Sequence, residues 1–227
     1  MRSASLIHSS RATVFTLALT LALSTPVFAQ LTPDWNAARF GGLLGLNRST
    51  FGGDLAVGDP RSLTGAVGGI TVVKPLIGGL ALRGEVLTTR KGAVWTTNAL
   101  GGVAGQAGFE LTYVDVPIML AYELPPASGF RPHLYAGPSF NLRTACRTRV
   151  SVQGSTSFRN CDQTNTGVRS TELAGIIGGG IGVQVRRDML GVLGARYTHG
   201  VTKVVDESNV TNRLWTFYLG VEMLQRR

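Results

Sequence analysis

The chain has 227 residues, with 22 Lys or Arg against 13 Asp or Glu, for a formal charge of +9. Charged residues are only 15% of the total, 44% are hydrophobic, and 30 are Gly against 9 Pro. Gly this abundant, yet spread through apolar segments, excludes a collagen or a linker and points to strands whose backbones approach closely.

The N-terminus reads as an export signal. Arg2 and Arg11 form a positive region, Ala12 to Leu23 is apolar, and Val27-Phe28-Ala29 offers small residues for cleavage. Cleavage before Gln30 leaves residues 30–227 as one domain, after a signal peptide of residues 1–29. Removing Arg2 and Arg11 leaves 20 basic residues against 13 acidic ones, a formal charge of +7. No Cys follows the cut directly, so no lipid anchor is expected; the two Cys, Cys146 and Cys161, both lie in the exported part.

Eight strands are predicted in chain order: 38–48, 64–75, 79–90, 110–124, 132–145, 169–185, 189–200 and 213–224. In Tyr113–Leu124 (YVDVPIMLAYEL), the even positions Val114, Val116, Ile118, Leu120, Tyr122 and Leu124 are all apolar. Asp115, Pro117 and Glu123 occupy odd positions, and alternation with period two is a strand signature. The fifth strand sets Leu134, Ala136, Pro138, Phe140 and Leu142 against His133, Tyr135, Ser139, Asn141 and Arg143. The sixth sets Leu173, Ile177, Ile181, Val183 and Val185 against Glu172, Gly178, Gly180, Gly182 and Gln184. Its Gly-rich run is too short for a helix crossing a bilayer, which needs about 20 residues, and too Gly-rich to be a good helix. The eighth sets Trp215, Phe217, Leu219, Val221 and Met223 against Thr216, Tyr218, Gly220 and Glu222.

The connections alternate in length. Ile77-Gly78, Pro125 to Phe130 and Arg186 to Asp188 are short, whereas 49–63, 91–109, 146–168 and 201–212 are long and polar. Short turns at one end and long loops at the other are expected of an outer-membrane barrel. Alternation alone also fits a soluble lipocalin-like barrel with its faces reversed. The polar faces, however, carry one or two charges per strand, separated by Gly, Ser and Thr, which suits a narrow lumen better than a water-facing surface. Trp35, Tyr122, Phe130, Tyr197 and Trp215 fall near strand ends, where interfacial aromatic girdles belong.

Several segments carry a resemblance: Phe40–Asn47 (FGGLLGLN), Leu82–Val86 (LRGEV) followed by Arg90-Lys91-Gly92, Tyr113–Ile118, Leu134–Ser139 (LYAGPS) and Ala195–Gly200 (ARYTHG). Together they resemble the PorT-like outer-membrane β-barrel proteins, within the OmpA/OmpX-like eight-stranded class. The resemblance implies an all-β, eight-stranded antiparallel transmembrane up-and-down barrel in the outer membrane of a Gram-negative bacterium. It does not imply one activity. The chain ends Met223-Leu-Gln-Arg-Arg227 rather than on the aromatic residue that the barrel-assembly machinery often recognises, so either Leu224 substitutes or the recognition is unusual.

Arg39, Arg83, Glu85, Asp115, Arg143, Glu172, Arg196 and Glu222 are expected to face inward as a self-neutralising ladder, because a buried charge without a partner costs several kcal/mol. Arg196 is expected to pair with Glu85 or Asp115. Cys146 and Cys161 are expected to form a disulfide at the base of a small hairpin turning at Gly154-Ser155. The long connections are basic, with Arg48, Arg61, Arg90, Lys91, Arg147, Arg149, Arg159, Arg169, Lys203 and Arg213. For an exported barrel these suit the phosphates of lipopolysaccharide better than nucleic acid. His133 and His199 are the histidines of the exported part, and an enzyme would set His199 beside Glu172 at the outer rim. No Gly-x-Ser-x-Gly accompanies them, and no metal-ligand, Walker or dinucleotide motif is present, so no cofactor is expected. The expected role is structural or interactive, with long loops presented outside the cell. The alternatives are a small passive channel, a lipid-modifying enzyme and a lipocalin-like carrier.

Overall fold

The computed structural model describes residues 38–53, 61–100, 103–126, 129–153, 155–161, 168–204 and 210–224. The signal region and Trp35 lie outside them. Nine strands follow in order: β1 (Arg39–Gly52), β2 (Arg61–Pro75), β3 (Leu80–Leu100), β4 (Val103–Glu123), β5 (Phe130–Val152), β6 (Ser155–Asn160), β7 (Thr171–Arg186), β8 (Met189–Gly200) and β9 (Thr211–Leu224). Each wall strand pairs antiparallel with its neighbours in sequence, β5 pairs directly with β7, and β1 pairs with β9 from Arg39↔Leu224 to Gly52↔Thr211. These pairings close a barrel of eight strands, with β6 added to β5 as the arm of a hairpin.

The faces settle which way round the barrel is. Leu44, Ile70, Val86, Ile118, Leu134, Ile177, Leu193 and Phe217, one from each wall strand, are all exposed. Arg39, Arg83, Glu85, Asp115, Glu172, Arg196 and Glu222 are all buried. A soluble barrel with its charges inside and its aliphatic side chains in water would forgo the burial that folds it. In hydrocarbon the same arrangement is the stable one.

Both described termini lie at one end, with the turns Ile77–Gly79 and Arg187-Asp188 and residues 124–126 and 129 between β4 and β5. Gly78 and Gly79 take positive φ of 59° and 83° there, a region that favours Gly. At the other end the barrel is lopsided. β3, β4 and β5 run 21, 21 and 23 residues against 12 for β8, so one side of the wall continues as a sheet beyond the rim. This corrects the expected loops 91–109 and 146–168: β3 and β4 stay paired out to Leu100↔Val103, and β5 continues to Val152 before turning into β6. Their Gly, Thr and Ser content reads as loop, yet a ladder needs only backbone donors and acceptors, which every non-Pro residue supplies.

A bulge reorients this extension. β4 and β5 pair as Tyr113↔Arg143 and then Thr112↔Ala145, so Thr144 is an extra residue. Below it the odd residues of β5 face inward; above it the parity reverses. Cys146 therefore sits opposite inward Leu111, while Ala145 and Arg147 point outward.

Candidate functional site

The lumen carries the densest chemistry, and the alternating pleat brings it together. Lower in the barrel, six charges form a chain of alternating sign. Glu123 accepts from Arg39, whose Nε donates to Glu222 at 3.0 Å. Arg83 Nη1 donates to the other oxygen of Glu222 at 3.0 Å, and its Nε donates to Glu85 at 2.7 Å. Arg196 closes the chain onto Glu85 at 2.5 Å. Three cations meet three carboxylates, so the cluster is neutral. The Arg196–Glu85 contact joins β8 to β3, four strands apart by either route around the barrel. Tyr135 and Tyr218 reach in from β5 and β9 until their hydroxyls share a hydrogen bond of 2.9 Å. The Arg83 guanidinium lies 5.4 Å from the Tyr135 ring centre and that of Arg196 5.5 Å from Tyr218.

A second cluster lies above. Lys91 Nζ donates to Asp115 at 3.0 Å and to Glu172 at 3.4 Å, over the ring of Tyr113 at 4.6 Å. Asn212 donates to the remaining oxygen of Glu172 at 3.0 Å. Asn141, with its amide nitrogen toward Asp115 at 3.2 Å, accepts from Lys91 at 3.1 Å. Phe51, Ala93, Leu111, Tyr113, Val204 and Val210 then close the top as an apolar layer, with Cys146 and Trp95 packed against it.

The eight charges assigned to the lumen from sequence do not all join. Arg39, Arg83, Glu85, Arg196 and Glu222 share the lower chain, and Asp115 and Glu172 the upper cluster. Arg143 makes no ion pair among the described residues, and its Nη1 is buried without a hydrogen-bond partner. Lys91, read as a loop cation, is buried at 1% exposure instead. The parity of Arg83 and Glu85, extended through Leu87 and Thr89, points to it; ending the third strand at residue 90 hid it. Tyr135, Tyr218 and Asn212 were also missed as partners, because cross-barrel contacts leave no local pattern.

Cys146 and Cys161 form a disulfide, with Cα atoms 5.4 Å apart. The hairpin above it pairs Val152 with Ser155, so Ser155 belongs to β6 rather than to the turn, with Gln153 at φ 50°. His199 and Glu172 do not meet. His199 is exposed on the outer face, stacked on Tyr197 at 6.3 Å, while Glu172 is inside. His133 is inside near the lower end, and its Nε2 has no partner. No group of three or more metal-binding side chains occurs among the described residues.

The family described as "outer membrane protein beta-barrel domain" matches residues 28–206. The closing strand β9 follows the matched segment. No curated protein sequence matches the chain. Among solved structures, Neisserial surface protein A is similar at 18% identity, covering 82% of this chain and 96% of that one, with a TM-score of 0.48. The outer membrane protein OprG of Pseudomonas aeruginosa is similar at 12% identity, covering 82% and 95%, with a TM-score of 0.45. The attachment invasion locus protein Ail of Yersinia pestis, bound to the heparin analogue sucrose octasulfate, is similar at 13% identity, covering 82% and 99%, with a TM-score of 0.41.

Proposed function

This chain belongs to the outer-membrane protein β-barrel domain family and resides in the bacterial outer membrane, and from that premise we propose that it is a closed, non-catalytic barrel holding an interaction sheet above the membrane. One observation carries the reading: Tyr135 and Tyr218 are bonded across a lumen whose ionic chain already joins opposite walls. An eight-stranded barrel has room for little beyond its own side chains. Here six of its charges are paired in one chain from Glu123 to Arg196, and an ion entering would have to break pairs that are costly to separate.

The reading disfavours a channel and gives the lumen a mechanical role. It stiffens the wall that supports β3 to β6. Catalysis is disfavoured because His199 and Glu172 occupy opposite faces. Within the family we group the chain with the PorT-like barrels, on the motifs quoted from its sequence, and transfer no secretion role. The barrel-assembly machinery would read the apolar outward row of β9, which runs from Trp215 through Phe217, Leu219 and Val221 to Met223. No nucleic-acid partner is proposed.

The test is conductance. Purified protein, folded and inserted into planar bilayers, is expected to give no single-channel steps at 100 mV. Reproducible steps from the wild-type chain, lost in a variant with a blocked lumen, would replace this reading with the channel.

A further inference from the structure

The Arg side chains of the lower lumen, Arg39, Arg83 and Arg196, all meet carboxylates. Outside, the pattern inverts. Arg48, Arg90, Arg147 and Arg213 are exposed, and none has a carboxylate within ion-pair distance among the described residues. Along the outward face of β1, Phe40, Leu44 and Leu46 give way to Arg48; along β9, Leu219, Phe217 and Trp215 give way to Arg213; along β3, Leu82, Val86 and Thr88 give way to Arg90. Arg48 pairs in register with Trp215, and Arg90 with Thr112. On these three strands the apolar band therefore ends in a cation with no carboxylate in ion-pair distance among the described residues, where hydrocarbon gives way to headgroups.

One part of this collar is a recess. A cavity of about 180 Å³ lies where the wall continues into the raised sheet, lined by Arg90, Arg147, Thr64, Thr112, Leu63 and Glu110. The bulge at Thr144 makes it: without the extra residue, Arg147 would point into the barrel. Thr144 Oγ1 donates to the carbonyl of Thr112 at 3.3 Å, fixing the bulge at the recess floor. Glu110, directly opposite Arg147 in the β4–β5 ladder, is the one acid in the lining, and its carboxylate lies 3.9 Å from Arg149 Nη1.

We propose that this recess binds the phosphate groups of a phosphorylated glycolipid headgroup in the outer leaflet, with Arg90 and Arg147 as the phosphate ligands. The inference rests on the orientation of the barrel, with β3 to β6 outside, but not on whether its lumen conducts. Two guanidiniums with no carboxylate in ion-pair distance among the described residues supply charge-assisted donors suited to phosphate oxygens. The hydroxyls of Thr64 and Thr112 suit sugar hydroxyls. Glu110 opposes an anion and sets the affinity below what two Arg alone would give.

The test uses the full-length folded protein in dodecyl maltoside, titrated with diphosphorylated lipid A, its dephosphorylated form, phosphatidylglycerol and inorganic phosphate, with binding read by intrinsic fluorescence. Diphosphorylated lipid A is expected to bind best. The double variant Arg90→Gln/Arg147→Gln is expected to weaken it by about tenfold or more, the loss from charged hydrogen bonds, and Glu110→Gln to tighten it. Folding of each variant is checked by its heat-modifiable mobility on gels. If the double variant does not fold, Glu110→Gln decides: unchanged or weaker binding overturns the proposal. Equal binding of the dephosphorylated lipid or of phosphatidylglycerol overturns it as a generic lipid contact, and equal binding of inorganic phosphate overturns it as a free-anion site.

Discussion

At Gly194 a side chain would enter the ring of Tyr218, and at Gly178 a Cβ would lie 2.6 Å from Cβ of Arg196 and 2.7 Å from the Tyr135 hydroxyl. These residues are the relief against which the two tyrosines and the ion chain fit. Gly84, by contrast, has open space around its missing side chain. Gly194→Ala is expected to destabilise the barrel by about 1–3 kcal/mol through overpacking, and Gly84→Ala to be neutral or slightly stabilising, as measured by urea unfolding in lipid vesicles. Equal effects would mean that the lumen is looser than the contacts imply. Arg196 offers a second test at this scale. Its removal leaves Glu85 with Arg83 alone, and breaking such a buried pair costs about 3–5 kcal/mol. A double-mutant cycle of Arg196→Met with Glu85→Gln is expected to show coupling, whereas the cycle with Asp115→Asn, whose ion-pair partner is Lys91, is expected to be additive. Coupling to Asp115 of the same size would place Arg196 in the upper cluster.

At the scale of elements, the β5–β6 hairpin is the piece least supported by the barrel. All six residues of β6 are exposed, and its ladder runs to β5 alone among the described strands. The Cys146–Cys161 bond closes the base of this hairpin, with Cys161 buried at 2% exposure and Cys146 against the apolar cap. Closing a loop of about 15 residues removes roughly 3 kcal/mol of unfolded-chain entropy in the loop-closure account. Reduction, or Cys146→Ser/Cys161→Ser, is expected to abolish amide-exchange protection in β6 and in the β5 amides bonded to it, while β5 amides bonded to β4 keep theirs. Protection in β7, β8 and β9 should be unchanged, since their ladders do not depend on the hairpin. Loss of protection throughout the barrel would show that the hairpin is part of one cooperative unit.

For the whole molecule, the bilayer defines the inside and the outside. Ile118 lies at mid-wall opposite Gly84, and Thr88 lies one outward position below Arg90. Arg substitutions on a lipid face cost about 2–4 kcal/mol at mid-membrane and about 0–1 near the interface. Ile118→Arg is therefore expected to be far more destabilising than Thr88→Arg in vesicle refolding, and a reversed order would contradict this placement of the barrel. Ser139 is no mild control for such a series. It is 1% exposed against Asn141, and an Arg there would need volume that the packed lumen does not have.

Much of this architecture follows from the chain alone, because side-chain alternation is a local property. The parity that places Arg83, Glu85, Asp115 and Glu222 on one face and Ile118, Phe140 and Phe217 on the other is visible without any contact between strands. The eight wall strands and their short turns are legible for the same reason. What the sequence left open depends on partners distant along the chain. The third to fifth strands continue past their apolar alternation because backbone ladders hold segments of any composition once their neighbours are aligned, and this turned expected loops into a raised sheet. Lys91 became a lumen cation and Arg147 an outward one through register and through one bulge at Thr144, neither of which leaves a periodic trace. Arg196 had two candidate partners in the sequence, Glu85 and Asp115. The tertiary structure joined it to Glu85, because only barrel closure determines which residues face each other across the lumen.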